Sequence, residues 1–336
     1  MDLFKNISFL IIIYFCFLKS NFFGIKLKIL DYPDNIRKNH LVPIPAIAGV
    51  FFYLFVILHI SFNTVSAQFF FDFINVERNI DKFFFFLIFS SIFFISFLDD
   101  KIDLSPSIKL ISLLIIISTL FFYYPDFSVK YLKFSFYNIS IDLFNFSLIF
   151  TVIFFLFSFN SINMFDGINL QSSLLFLNVW TYIGLIQGFN LFIINVILFL
   201  LVFSYFNFKN KVFLGDCGVY LLSFLTLIFL LKIYILKKVF FDEIVLLFIL
   251  PFVDLIRVAV IRIYNNKNPL LADVTHFHHI LISKFSFFFV ISIIILGYIF
   301  PIFLFKFINI NFFTIIFLFF IYYLFFLNFT GYVKHK

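Results

Sequence analysis

Charge is what this chain has least of. Only 12% of its 336 residues are Asp, Glu, Lys or Arg, against 64% hydrophobic and a mean hydropathy of +1.14; a soluble domain is about a quarter charged and half apolar. That shortage excludes water as the main solvent. Cysteine is almost absent too. Cys16 and Cys217 stand far apart with no Cys-x-x-Cys spacing, which excludes a disulfide framework and a thiolate metal site, and both read as small apolar residues. No small-x-small cleavage site follows the apolar run from Ile7 to Leu18, although Lys5 precedes it. The run therefore predicts a retained first helix rather than a removed signal peptide. The net charge of +7 reads as Lys and Arg in loops facing the cytoplasm, so no nucleic acid is expected as a partner. Phenylalanine, with 66 copies, fills positions that need only be apolar; we attribute it to AT-rich codon usage and read no motif in it.

The unit of organisation is then the membrane span of about 20 apolar residues. Breaks carrying charge, Pro or Gly divide the chain into segments near 7–24, 44–62, 82–98, 107–124, 143–160, 168–186, 189–206, 217–236, 241–262, 286–305 and 311–330. Lipid cannot satisfy backbone groups, and these runs are too long and uniformly apolar for barrel strands, so helix is the form expected. The expectation is an all-α, polytopic integral membrane protein: about 11 transmembrane helices forming one domain over 1–336, with cytoplasmic catalytic loops. Loops 25–43, 99–106, 161–167, 207–216 and 263–285 share one side. With the tail and the adjoining Lys109 and Arg262 they carry thirteen Lys and Arg against nine opposite. The positive-inside rule makes that side cytoplasmic, with the N-terminus outside and the C-terminus inside. The same side gathers Asp31, Asp34, Asp99, Asp100, Asp103, Asp166, Asp216 and Asp273, whereas Asp72, Glu77, Asp81 and Asp126 on the other lack accompanying Gly, Asn or His.

Five stretches on that side carry chemistry. In Asp99-Asp100-Lys-Ile-Asp-Leu-Ser105-Pro106 two carboxylates end an apolar run; an acid at bilayer depth is costly, so the pair either meets water or is held by a cation such as Mg²⁺. Asn160, Asn163 and Asp166 recur at three-residue spacing before Gly167, facing one way on a helical turn, or marking an ordinary turn. Asp216 stands between Gly215 and Gly218, where a backbone can approach a phosphate and the carboxylate can complete a metal shell or simply cap a helix. Asp273-Val-Thr-His276-Phe-His278-His279 follows Arg262 and Lys267. No His-Glu-x-x-His helix accompanies it, so phosphate recognition fits better than zinc. In the first loop, Arg37, Lys38 and His40 before Pro43 and Pro45 could clamp a diphosphate or anchor to anionic lipid. Asp254 and Arg257 can pair at i, i+3.

Together these resemble the polyprenyl-phosphate N-acetylhexosamine-1-phosphate transferase family. The first loop resembles its Arg-Lys-x-His followed by Pro and Gly, through Arg37, Lys38, His40, Pro45 and Gly49. Asp99 to Pro106 resembles Asp-Asp-x-x-x-Leu-Ser-Pro, and Asn160, Asn163, Asp166 and Gly167 resemble Asn-x-x-Asn-x-x-Asp-Gly. Phe213, Gly215, Asp216 and Gly218 resemble Phe-x-Gly-Asp-x-Gly, and His276, His278 and His279 the His-x-His-His loop. The family often has Gly-Gly at Ala48-Gly49, Gly-Leu at Leu170-Gln171 and Gly-Ser at Gly218-Val219, so this chain departs from it at close-packing positions.

The resemblance implies a Mg²⁺-dependent phosphotransferase, with Mn²⁺ as an alternative ion. A polyprenyl phosphate such as undecaprenyl phosphate attacks the β-phosphorus of a UDP-N-acetylhexosamine, UMP leaves, and cell-envelope polysaccharide synthesis begins at the bacterial inner membrane. It implies Asp216 with Asn163 at the metal, and Asp99 or Asp100, Asp166, His276, His278 and His279 as catalytic groups. Substrate would be held by Arg37, Lys38, His40, Asn160, Asn207, Phe213 and Arg262, with Asn207 and Phe213 at the uracil. Partners would be the lipid bilayer, both substrates and a second copy, since dimers are common in the family. The histidine-loop form resembles the branch that begins O-antigen, enterobacterial common antigen or teichoic acid more than the phospho-MurNAc-pentapeptide branch. A transporter predicts charges deep in the spans, and the Asp-Gly-x-x-Ala-Arg signature of CDP-alcohol phosphotransferases is absent.

Overall fold

The structure is a computed structural model that describes residues 11–33, 42–62, 64–74, 76, 78–136, 140–268 and 274–330. Apolar runs form the helices, and the polar residues between them set the ends. In chain order, after a helical stretch at 11–18, the helices are α1 Ser20–Leu27, α2 Ala48–Phe62, α3 Thr64–Phe73, α4 Asn79–Ile102, α5 Pro106–Tyr123, α6 Ser147–Met164, α7 Gln171–Gln187, α8 Leu191–Phe208, α9 Gly215–Ile235, α10 Phe241–Leu247, α11 Ile249–Tyr264, α12 Phe277–Ile282, α13 Phe287–Phe307 and α14 Phe312–Phe329. Ser105 shows how an end is made: its hydroxyl accepts from the Ile108 N–H at 3.5 Å and Pro106 opens α5, a donor-poor start that proline tolerates. Asn190 and Asn311 cap α8 and α14 in the same way.

Among the described residues seven helices are long and apolar enough to cross a membrane, or eight if α10 and α11, bent by 74° at Phe248, are one broken span. The protein is a multi-pass, all-α membrane protein, but with fewer than the eleven spans expected. The reasons are local. α2 has 15 residues and α7 has 17; at about 1.5 Å per residue the first covers about 22 Å of a core about 30 Å thick. The first segment is broken at Lys19, which precedes α1, and its start lies outside the described residues. α3 occupies sequence that reads as loop.

Helix α9 is the axis of the bundle: 94% of its apolar window is buried, against 22% for α5, and it packs on α4, α2, α6 and α7. Gly49 and Gly218 let α2 and α9 touch backbone to backbone, since a Cβ on Gly49 would stand 2.2 Å from the Gly218 nitrogen. Polar side chains turn inward, as where Trp180 Nε1 donates to Thr226 Oγ1 at 3.0 Å, while Phe122, Phe317 and Ile153 face outward. This is the arrangement that suits a lipid solvent.

Two short antiparallel pairs finish the loops. β1 (Leu30–Asp31) pairs with β2 (Ile44–Pro45), Leu30 opposite Pro45, and β3 (Tyr131–Lys133) pairs with β4 (Ser140–Asp142). β2 and the start of α2 are also tied to the residues before α9: the Phe213 N–H donates to the Pro45 carbonyl at 2.9 Å and the Gly49 N–H to the Leu214 carbonyl at 3.1 Å. The ends of α4, α6 and α8 thus meet the starts of α5 and α9 at one end of the bundle, and there the chemistry-bearing loops converge.

Candidate active site

The centre of that end is an ion cluster. The Lys109 ammonium, one turn into α5, pairs with both Asp99 at the end of α4 and Asp216 at the start of α9. The two carboxyl groups also contact each other, and Asn163 hydrogen-bonds to Asp216. The adjacent aspartates divide their duties. Asp100 accepts the backbone N–H groups of Asp216 and Cys217 at 2.7 and 2.9 Å, so its carboxyl oxygens cap the first N–H groups of α9. Asp99 accepts the Leu104 N–H at 3.0 Å and turns its other oxygen to Lys109. Gly215 joins the two: its φ is +71°, and a Cβ would come within 2.8 Å of both the Ala46 carbonyl and Asp100 Oδ2. Only glycine takes that turn at so close an approach.

Asp166 follows α6 in a turn where the Ser172 hydroxyl donates to its carboxylate. Burial pushes its pKa up to about 7, the Ser172 bond opposing and the Asp216 charge adding. Asn160 is one turn earlier on α6 and donates to the Leu156 carbonyl at 2.8 Å. Asn207 clips two loops together: Oδ1 accepts the Leu170 N–H at 2.7 Å and Nδ2 donates to the Val212 carbonyl at 2.9 Å. It holds Leu170 at φ +69°, a left-handed backbone that is strained for a residue with a Cβ.

The histidine loop is docked by Asp254 of α11. One carboxylate oxygen meets His276 Nδ1 at 2.7 Å, and the other accepts the Phe277 N–H at 3.0 Å, the Tyr323 hydroxyl at 2.7 Å and Arg257 at 2.7 Å. Arg257 also donates to the Thr275 carbonyl at 2.6 Å. The pairing anticipated between Asp254 and Arg257 is therefore present, and it anchors the loop. His278 lies buried beneath His276, the rings 5.8 Å apart and nearly parallel.

These groups line one cavity of about 1260 Å³. Of the residues singled out in sequence, Asp99, Asp100, Asn160, Asn163, Asp166, Asn207, Phe213, Asp216, His276, His278 and His279 all border it. Arg262 does not. α11 turns Leu255, Ile256, Ala259, Val260 and Ile263 to the cavity, and Arg262, on the Asp254–Val258 face, is buried behind them. Arg37, Lys38 and His40 lie outside the described residues. Sequence reasoning missed Lys109, counted only as a loop charge, and Gln171, noted only as a departure. The signal for the first was a single cation one turn inside an otherwise apolar helix.

Among the described residues no three His, Cys, Asp or Glu side chains are gathered as a metal cage; between Asp99 and Asp216 stands the Lys109 ammonium instead. The donors at hand still suit a hard divalent ion. Asp216, Asn163 and Asp166 each offer an oxygen, the Asp216 side chain is 32% exposed, and burial pushes the Asp166 pKa up to about 7, a shift that a bound cation would oppose.

A multi-pass membrane protein with carboxylates, amides and imidazoles around a cavity at one end of its bundle belongs to the class of intramembrane transferases acting on anionic substrates. Residues 83–234 match the model of Glycosyl transferase family 4, the polyprenyl-phosphate HexNAc-1-phosphate transferases, and the resemblance drawn from the motifs holds over that stretch, which contains Asp99, Asn163, Asp166 and Asp216. No curated protein matches the chain. Members of this family transfer a sugar 1-phosphate from a UDP-sugar to polyprenyl phosphate, and this chain is a transferase of that kind. The first loop and the histidine loop lie beyond the matched residues, so their assignment rests on the side chains themselves.

Proposed function

We propose that the protein transfers N-acetylhexosamine 1-phosphate from a UDP-N-acetylhexosamine to undecaprenyl or a related polyprenyl phosphate, releasing UMP at the cytoplasmic face of a bacterial inner membrane. The observation that carries this reading is the shape of the cavity. Its polar floor continues into an apolar groove between α6 and α11, lined by Ile153, Leu156, Phe157, Ile256, Val260 and Ile263. Ile153, Ile256, Val260 and Ile263 are more than half exposed, so the groove opens sideways to lipid. A ligand with an anionic head and a long hydrocarbon tail fits both halves at once.

Within the site, Asp99 faces the lipid phosphate and takes or shares its proton, while Asp100 is spent on α9 and keeps Asp216 in place. Lys109 holds Asp99 and Asp216 together and can swing its charge to an incoming phosphate. Asp216, Asn163 and Asp166 would hold Mg²⁺, with Mn²⁺ as an alternative, which neutralises the diphosphate and the charge on departing UMP. His276 and His279 border the same space for phosphate or sugar. Asn207 acts on the nucleotide by fixing the 207–213 loop that presents Phe213, and Asn160 lines the wall beside it. Arg37, Lys38 and His40 are assigned to the nucleotide by their motif. The lipid phosphate is a competent nucleophile, so direct displacement needs no enzyme-bound intermediate.

Purified protein in detergent, given undecaprenyl phosphate and a panel of UDP-N-acetylhexosamines, should convert one of them to a lipid-linked sugar diphosphate identified by mass. Absence of any lipid product from the whole panel, with the protein still folded, would rule out this donor class.

A further inference from the structure

Gln171, buried directly behind the Gly167–Ile168 stretch of the cavity wall, is a polar group that the transfer reaction leaves without a task. It opens α7 directly after the strained Leu170 and is completely buried. Its Oε1 accepts the N–H groups of Gly167 and Ile168, each at 3.3 Å. Two donors on the oxygen fix which way the amide lies, and its nitrogen therefore faces His278 Nδ1, 3.2 Å away. A carboxamide nitrogen only donates. Nδ1 must then be the bare, accepting nitrogen, and the proton of the neutral ring sits on Nε2.

The ring is neutral: His278 is 0% exposed, and burial, with His279 beside it, holds its pKa well below the usual histidine range. Nε2 is buried and has no hydrogen-bond partner among the described residues. It rests on Gly167, where a Cβ would stand 1.9 Å from it, and the ring meets Phe165 at 5.4 Å and 86°. Gly167, Asp166 and His278 all border the cavity. A buried N–H with nothing to bond is costly; the Gly167 turn covers Nε2, so a ligand oxygen that displaces that turn slightly takes up the N–H and removes the cost.

We propose that Gln171 is a positioning residue that locks His278 as its Nε2–H form, so that this one free N–H donates to an anionic oxygen of the diphosphate bound beside Gly167. The proposal deepens the transferase reading and rests on it for the ligand. The glutamine ties both partners of that contact, the turn from Asp166 to Ile168 and the imidazole, to a single amide.

The tautomer can be read on the native protein by ¹⁵N NMR of labelled histidine, with the His278 signals assigned by their loss in His278→Asn. A pyridine-type Nδ1 and a pyrrole-type Nε2 are expected. Gln171→Glu keeps an oxygen for Gly167 and Ile168 but places an acceptor opposite Nδ1. The two ¹⁵N signals should exchange character, and affinity for UDP with Mg²⁺, measured by titration calorimetry, should fall about 10-fold or more, the worth of one hydrogen bond to a charged group. Wild-type His278 carrying its proton on Nδ1 overturns the proposal whether or not the variant folds. A folded Gln171→Glu that binds UDP as wild type does overturns it as well. A wild type with the expected tautomer that binds no UDP overturns the diphosphate as ligand, and the transferase reading with it, while leaving the tautomer lock standing.

Discussion

Lys109 makes the clearest case for reading single side chains. One ammonium sits between Asp99 and Asp216, and without it two carboxylates would confront each other in a largely enclosed site. Lys109→Met should therefore destabilise the protein by about 1–2 kcal/mol, less than the loss of a partner from a fully buried ion pair because Lys109 and Asp216 are 18% and 32% exposed, measured by thermal unfolding in detergent. Millimolar Mg²⁺ should return part of the loss by taking the vacated place. Unchanged stability would mean that this cation does not offset the repulsion between the two carboxylates. Nothing in the sequence tied Lys109 to Asp216: they are 107 positions apart, and the contact exists only because α5 and α9 start at the same end of the bundle. Asp99, Asn163, Asp166 and Asp216 were legible because their spacing near Gly and Asn repeats a pattern. The place of Arg262 was not legible, because sequence proximity to the histidine loop says nothing of which helix face it occupies, and α11 turns that face inward.

At the scale of elements, the turn from Asp166 to Leu170 links α6 to α7 and carries a titration. Asp166 has a pKa of about 7 when folded against an ordinary 3.8. The folded state thus binds more protons than the unfolded one between these values, and stability falls as pH rises from about 4 to 7, then levels. In metal-free buffer the melting temperature of wild type minus that of Asp166→Asn should decline over this interval. A difference that rises with pH would contradict the raised pKa. The histidine loop is anchored on α11 by Asp254. Asp254→Asn weakens the bonds to His276 and Arg257 together, and transfer should fall about 100-fold, a loss typical of misplaced catalytic groups, measured as kcat. Span positions were legible from hydropathy, but the lengths of α2 and α7, 15 and 17 residues, were not; α7 opens at Gln171, whose side chain is held by the turn before it.

For the whole molecule, hydropathy and charge carried the reading furthest. All the motif loops that the structure describes meet at one end, as their common side implied, and a cavity with a polar floor and a lipid-facing groove joins them. The bend of 74° between α10 and α11 was not legible, since residues 241–262 are as apolar as a straight span. Our reading sets the motif end in the cytoplasm. Single cysteines replacing Lys101, Lys209 and Lys284 should then react with an impermeant maleimide only in inverted vesicles, and one replacing Lys130 only in right-side-out cells. The reverse labelling would invert the proposed orientation.

The central claim is that one site joins a UDP-sugar to a polyprenyl phosphate through Asp216. The most direct measurement is UMP release by the purified protein, with and without undecaprenyl phosphate, with Mg²⁺ or EDTA, beside a folded Asp216→Asn variant. Release is expected only when lipid phosphate and Mg²⁺ are both present, with a loss on the order of 100-fold or more in the variant, as for removal of a group that stabilises developing charge. Release that ignores the lipid, or full activity in Asp216→Asn, would contradict the claim.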